Sequence, residues 1–262
     1  MNPIRNLPNI LTLINLLLGC IAITYVYYDH MVIIDQQRNT YINIGRMEAA
    51  GFCIFFAAVI DFFDGFIARL LKAQTEIGKQ LDSLADVVTF GVAPGIIMYQ
   101  LFARSYYASA DAFDYPVLYF TIAFIIPAGA AWRLAKFNIQ NNQTTQFLGL
   151  PTPAAALFIA ALPMLILRDE FGMSQILNNK WVLLSIAIAI TYLMISNIPM
   201  LSLKMKSLAF AENKWTYGLM AFSVILAILS MFALQSIYLI IPVVIVGYIL
   251  LSIVKNIAEN GI

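Results

Sequence analysis

Between Asp61 and Asp86 the sequence DFFDGFIARLLKAQTEIGKQLDSLAD sets four aspartates in a chain that otherwise consists of long apolar runs. Any fold has to accommodate those charges first. On a helix, Asp61 and Asp64 leave the same face, and Gly65 and Ala68 follow each of them by one turn on that face. After Arg69 the apolar character lapses through Lys72, Gln74, Thr75 and Glu76, then Gly78 and a second helical pair, Asp82 and Asp86, follow at a spacing of four. The stretch therefore predicts a helical hairpin folded near Gln74, with the four carboxylates at similar distances from its tip. Packed alone they would repel one another, and divalent cations remove that cost. Hard oxygen ligands favour Mg²⁺ or Mn²⁺ over softer metals, and a pair of such ions suits clamping a diphosphate for displacement at phosphorus. Gly65, Ala68 and Gly78 fit that chemistry, because a minimal side chain lets a bulky ligand approach the backbone.

The setting makes these acids informative. With 61% hydrophobic and 11% charged residues in 262, the chain is excluded from the ordinary soluble domains and reads as all-α, a polytopic transmembrane helical bundle. Acids inside such helices are costly and usually functional. A formal net charge of +1 argues against a nucleic-acid partner. Cys20 and Cys53 lie in apolar stretches without metal-type spacing and read as core or lipid-facing residues. The single histidine, His30, ends an apolar run and reads as interfacial, so the chemistry must proceed without histidine.

A span needs about 20 apolar residues, which predicts eight: near 9–28, 48–71, 81–103, 115–136, 150–167, 180–199, 215–234 and 236–254. The first is expected to be retained, since no A-x-A-like cleavage site follows it. The last two require a tight turn at Gln235, and Pro127, Pro163 and Pro242 are expected to kink their helices. One integral membrane domain is expected over 1–262, with a catalytic core to about residue 200 and a C-terminal helical hairpin over about 215–255. With eight spans, ten of the Lys and Arg residues share the side of both termini and five lie opposite, which predicts cytoplasmic termini and a cytoplasm-facing site at the cell (inner) membrane. Asp61 then lies about 20 Å along the second span, in the inner half of the bilayer. The stretch 198–210, carrying Lys204 and Lys206, is expected to lie along the interface against lipid headgroups. In the first span Asn9, Thr12, Asn15 and Gly19 form a polar and small stripe, suited either to helix packing or to nucleotide contact.

The order Asp64-Gly-Phe-Ile-Ala-Arg69, eight residues, Gly78, three residues, Asp82, three residues, Asp86 resembles the signature of the CDP-alcohol phosphatidyltransferase family, with Asp61 as an additional upstream acid. Three further segments resemble its serine-using members: Pro8 to Gly19 (P-N-x-x-T-x-x-N-x-x-x-G), Arg133-Leu-Ala-Lys-Phe-Asn138 and Gly149-Leu-Pro-Thr-Pro153. The second departs from the pattern at Lys136, where Arg is more usual. The resemblance implies an enzyme that moves the phosphatidyl group of CDP-diacylglycerol to the hydroxyl of L-serine and releases CMP, with glycerol 3-phosphate or an inositol as the alternative acceptor. It implies a homodimer in membrane lipid. Asp61, Asp64, Asp82 and Asp86 would hold two divalent ions, and Asp86 would also act as general base. Asn9, Thr12, Gly65, Ala68, Arg69 and Gly78 would meet CDP-diacylglycerol, and Arg133, Lys136 and Asn138 would meet serine. A divalent-cation transporter could use the same acids, but such sites typically combine interrupted helices with repeated halves, and the chain shows neither pattern.

Overall fold

The computed structural model describes residues 6–28, 32–34, 40–42, 44–73, 75–107, 117–139, 147–201, 210–229 and 238–260. The described chain is almost entirely helical. Helix α1 (Leu7–Tyr28) is followed by a short hairpin of β1 (Val32–Ile34) and β2 (Thr40–Ile42), then by α2 (Met47–Leu70). Helix α3 (Glu76–Asp86) continues through a π-helical turn over Val87–Val92 into α4 (Ala93–Tyr107). A 3-10 segment (Val117–Phe124) leads into α5 (Ile125–Ile139), and β3 (Phe147–Leu148) precedes α6 (Thr152–Arg168). Helices α7 (Met173–Leu177) and α8 (Lys180–Ile195), strand β4 (Pro199–Met200) and helices α9 (Phe210–Leu229) and α10 (Ile240–Asn260) complete the order.

Among the described residues five helices are long and apolar enough to cross a membrane: Leu7–Tyr28, Met47–Leu70, Glu76–Tyr106, Val117–Ile139 and Ile240–Ala258. Thr152–Arg168, Lys180–Ile195 and Asn213–Leu229 are apolar but shorter. All eight coincide with expected spans. The third begins at Glu76 rather than near 81, because Thr75 caps it, its Oγ1 accepting from Gly78 N at 3.0 Å, and a polar first turn is invisible to a search for apolar runs. Of the three prolines, Pro163 sits in the interior of α6. Pro127 stands just after the 3-10 segment passes into α5, and Pro242 falls at the third position of α10, where the N–H has no partner inside the helix. Gln74, Gln235, His30 and 202–209, with Lys204 and Lys206, lie outside the described residues.

The bundle is arranged for lipid. On α1 the buried residues are Pro8, Thr12, Asn15, Gly19, Ala22 and Val26, while Leu13, Leu17 and Ile21 are exposed. Small and polar residues face inward, as expected where lipid tails are as apolar as leucine and close backbone approach supplies the packing. Gly19 shows how close: a Cβ there would lie 2.8 Å from Thr89 Cα. Helix α6, buried from Ala155 through much of its length to Ile166, lies at the centre and touches α2, α4, α7, α8 and α10. Cys20 is exposed on the outer face and Cys53 is half-buried.

Beta pairing is confined to short pieces, and one of them shapes the interior. Strands β3 and β4 pair antiparallel, with Phe147 opposite Met200 and Leu148 opposite Pro199. Gly149 N then donates to Ile198 O and Leu150 N to Leu193 O, both at 2.9 Å, so the turn into α6 is sewn to the end of α8.

Candidate active site

The aspartates converge, but not by direct packing of the hairpin arms. Beyond Leu70 the chain turns through Lys72, at φ 49°, and restarts at Thr75. The backbones of α2 and α3 barely touch each other, and α1 packs against both. The two helices meet through their acidic side chains rather than their backbones, and α1 brings hydrogen-bond donors to both. Thr12 Oγ1 donates to Asp64 Oδ2 at 2.8 Å, and Asn15 Nδ2 donates to Asp86 Oδ1 at 3.3 Å. The Asn15 backbone is itself fixed, since its main-chain carbonyl accepts from Thr89 Oγ1 at 3.0 Å.

Carboxylate oxygens of Asp61, Asp64 and Asp82 all lie within 4.8 Å of one another. Asp86 stands outside this triad, although the Asp61 carboxyl lies against those of both Asp82 and Asp86. Asp64 and Asp86 are buried, at 5% and 7% exposure, and Asp61 and Asp82 are half-buried. Asp82 Oδ1 is buried and has no hydrogen-bond partner among the described residues. A buried, unpaired carboxylate oxygen inside a group of three acids is the donor set a hard divalent cation satisfies. Immediately after Asp86 the π turn over Val87–Val92 widens the helix, a feature that concentrates at functional sites.

Around the acids the predicted nucleotide residues divide. Gly65 and Ala68 are half-buried, and a Cβ at Gly65 would meet only Arg69 Nη1, at 3.5 Å. That face has room. A leucine at position 65 would fill it. At Gly78 the room is taken by protein, since a Cβ would lie 2.9 Å from Asn9 Oδ1 and 3.0 Å from Thr75 Oγ1. Thr12 is engaged with Asp64, as described.

The three predicted serine residues also separate. Arg133 lies within electrostatic range of Asp86, its Nη1 sits 3.5 Å from Thr152 Oγ1, and its Nε is buried without a partner among the described residues. Asn138 Nδ2 donates to Ser83 Oγ at 2.7 Å, and its carbonyl accepts from Lys79 Nζ at 3.3 Å, which ties the end of α5 to the Asp82 helix. Lys136 Nζ donates to Asn197 Oδ1 at 2.6 Å, beyond the end of α8. Ser83, Thr89 and Thr152 were not singled out from sequence. Ser83 follows Asp82 directly, and Thr152 lies within the Gly149 to Pro153 segment, so both were adjacent to recognised signals.

Residues 5–194 match the CDP-alcohol phosphatidyltransferase family. A Bacillus subtilis protein named CDP-diacylglycerol–serine O-phosphatidyltransferase is 30% identical over 179 residues, covering 66% of this chain and 87% of its own length. Proteins with the same name from Mycobacterium tuberculosis and Helicobacter pylori are 31% identical over 208 residues and 29% over 199, covering 77% and 75% of this chain and 66% and 72% of their own. The match takes in α1 to α8 and with them all four aspartates, so the chain belongs to the CDP-alcohol phosphatidyltransferase family.

Proposed function

We propose that the protein transfers the phosphatidyl group of CDP-diacylglycerol to the hydroxyl of L-serine, giving phosphatidylserine and CMP. The observation that carries the choice of acceptor is the similarity, over most of the chain, to proteins named for that reaction. The position of Arg133, on the helix beside Asp86, supports it. A serine zwitterion brings a carboxylate that must be compensated, and a guanidinium fork can hold one through two parallel hydrogen bonds.

Asp61, Asp64, Asp82 and Asp86 would hold two Mg²⁺ or Mn²⁺ ions. Bound there, the ions supply neutralisation of the diphosphate oxygens and of charge developing at phosphorus. The remaining work belongs to side chains. Asp86 takes the proton from the serine hydroxyl as its oxygen bonds to phosphorus and the bond to CMP breaks. Asn15 holds Asp86 in orientation, and Thr12 does the same for Asp64. Gly65 and Ala68 leave room for the nucleotide, Arg69 meets its phosphate, and Asn9 and Gly78 border the same space. Asn138, tied to Ser83, fixes the acceptor side of the site relative to Asp82, while Lys136 faces outward towards lipid phosphate. All eight apolar helices cross the membrane as one domain, with the ten-to-five bias of Lys and Arg directing both termini and the acidic site to the cytoplasmic face of the inner membrane. The protein works as a homodimer.

The test is purified protein with CDP-diacylglycerol and a panel of labelled alcohols. CMP release is expected only with L-serine and only with added Mg²⁺ or Mn²⁺; release with glycerol 3-phosphate or an inositol instead would reassign the acceptor. Arg133→Lys keeps the charge but loses the fork, so the serine KM is expected to rise roughly tenfold or more, the value of a charged hydrogen bond, with little change for CDP-diacylglycerol. Arg133→Ala is expected to be worse. Equal loss for both substrates would place Arg133 on the diphosphate.

A further inference from the structure

The match to the family ends at residue 194, yet a helix beyond it reaches the candidate acceptor side of the site. One face of α10 carries Tyr248, Ser252 and Asn256 at successive steps of four. All three side chains hold the backbone of the segment that leaves α8. Asn256 Nδ2 donates to Pro199 O at 2.6 Å. Ser252 Oγ accepts from Leu201 N at 3.0 Å and donates to Tyr248 O at 2.7 Å. Tyr248 Oη donates to Leu201 O at 3.0 Å. Both backbone groups of Leu201 are thus held by α10. Ser252 is fully buried and Tyr248 nearly so, at 7% exposure, so these bonds are shielded from competition.

The segment that α10 grips is β4, and β4 pairs with β3, whose chain runs through Gly149 to Thr152. Thr152 Oγ1 is the group 3.5 Å from Arg133 Nη1. Tyr248 also lies, like Asp86, within electrostatic range of Arg133. The Tyr248 hydroxyl commits its proton to Leu201 O. Removing that hydroxyl would take away one of the three tethers by which α10 holds β4 and Leu201, and with it part of what fixes β3 and Thr152 beside Arg133.

The geometry points to Tyr248 as a positioning residue for Arg133, through which α10 sets the affinity of the site for the acceptor's carboxylate. The assignment rests on the proposed role of Arg133 in binding serine. It gives the C-terminal helix a part in acceptor selection that the matched region alone does not contain.

The experiment compares full-length protein and Tyr248→Phe in lipid nanodiscs supplied with CDP-diacylglycerol. The readouts are the KM for L-serine, the KM for CDP-diacylglycerol, and inhibition by serinol, which has the hydroxyl and amine of serine but no carboxylate. Expected is a rise in the serine KM of roughly tenfold, with the CDP-diacylglycerol KM and serinol inhibition within about twofold of the unmodified protein. In an Arg133→Lys background the same substitution is expected to add less than twofold, because the fork it positions is gone. An unchanged serine KM, or a parallel shift in all three readouts as general loosening would give, overturns the assignment while leaving the acceptor reading intact. If the unmodified protein does not use serine, both fall together.

Discussion

Asp86→Asn is expected to lower turnover by roughly 10²–10⁴-fold, the contribution of a positioned general base, with a much smaller loss of CDP-diacylglycerol binding. The substitution is nearly isosteric and leaves an oxygen to accept from Asn15 Nδ2, so the geometry persists while the proton acceptor is lost. Asp64→Asn provides the contrast. It retains an oxygen for the Thr12 hydroxyl but removes a charge from the triad whose oxygens lie within 4.8 Å of one another, so nucleotide binding and turnover are expected to fall together. Steady-state CMP release and titration with CDP-diacylglycerol separate the two patterns. Near-normal turnover in Asp86→Asn would sink its assignment as base.

Gly149→Ala should have the largest effect on folding. The residue sits at φ +71°, and a Cβ there would lie 2.5 Å from Met194 O, 2.9 Å from Ser196 O and 3.0 Å from Leu193 O. The left-handed conformation costs a residue with a side chain about 1–2 kcal/mol, and forcing extra atoms into a packed site typically costs a further 1–3 kcal/mol. None of the three obstructing atoms is a side-chain end that can swing aside; all are backbone carbonyls fixed by helix α8 and its exit. Expected is a marked fall in melting temperature and in monodisperse protein recovered in detergent. Gly172→Ala is the control, since it has φ +69° but nothing within 4 Å, and so isolates the backbone cost. Equal behaviour of the two variants would contradict the packing account.

The four aspartates were legible because apolar surroundings make any charge informative, and a helical spacing of three or four fixes which acids share a face. The stripe of Asn9, Thr12, Asn15 and Gly19 was legible as a face, but its purpose was not. Two roles suited the sequence, packing and nucleotide contact, whereas Thr12 and Asn15 hold the acids of α2 and α3. That outcome depends on α1 lying between two helices that follow it in the chain, a tertiary fact that local spacing does not encode. Tyr248 was out of reach altogether: it stands more than a hundred residues from Arg133, in an apolar helix where a tyrosine is unremarked. The family signature, being short and contiguous, carried the reaction class; the ties of Asn138 to Ser83 and Lys136 to Asn197 arise from helices meeting in space.

The length of the helix that carries Asp82 and Asp86 bears on how lipid is handled. Glu76 to Tyr106 spans 31 residues, about 46 Å at 1.5 Å per residue, against a hydrocarbon core of about 30 Å. Its start is polar, with Glu76, Lys79 and Gln80 exposed, which on the proposed topology puts the excess there, and Asp82 follows only about 9 Å further on. On the proposed topology the acids would stand near the level at which lipid phosphates reside, and the lipid-linked diphosphate of the proposed substrate would meet them without rising from its leaflet. Drawing acyl chain into water costs about 0.8 kcal/mol per CH₂, so lifting ten methylenes would add roughly 8 kcal/mol to the barrier, a cost that an aspartate pair placed at phosphate depth leaves out of the reaction.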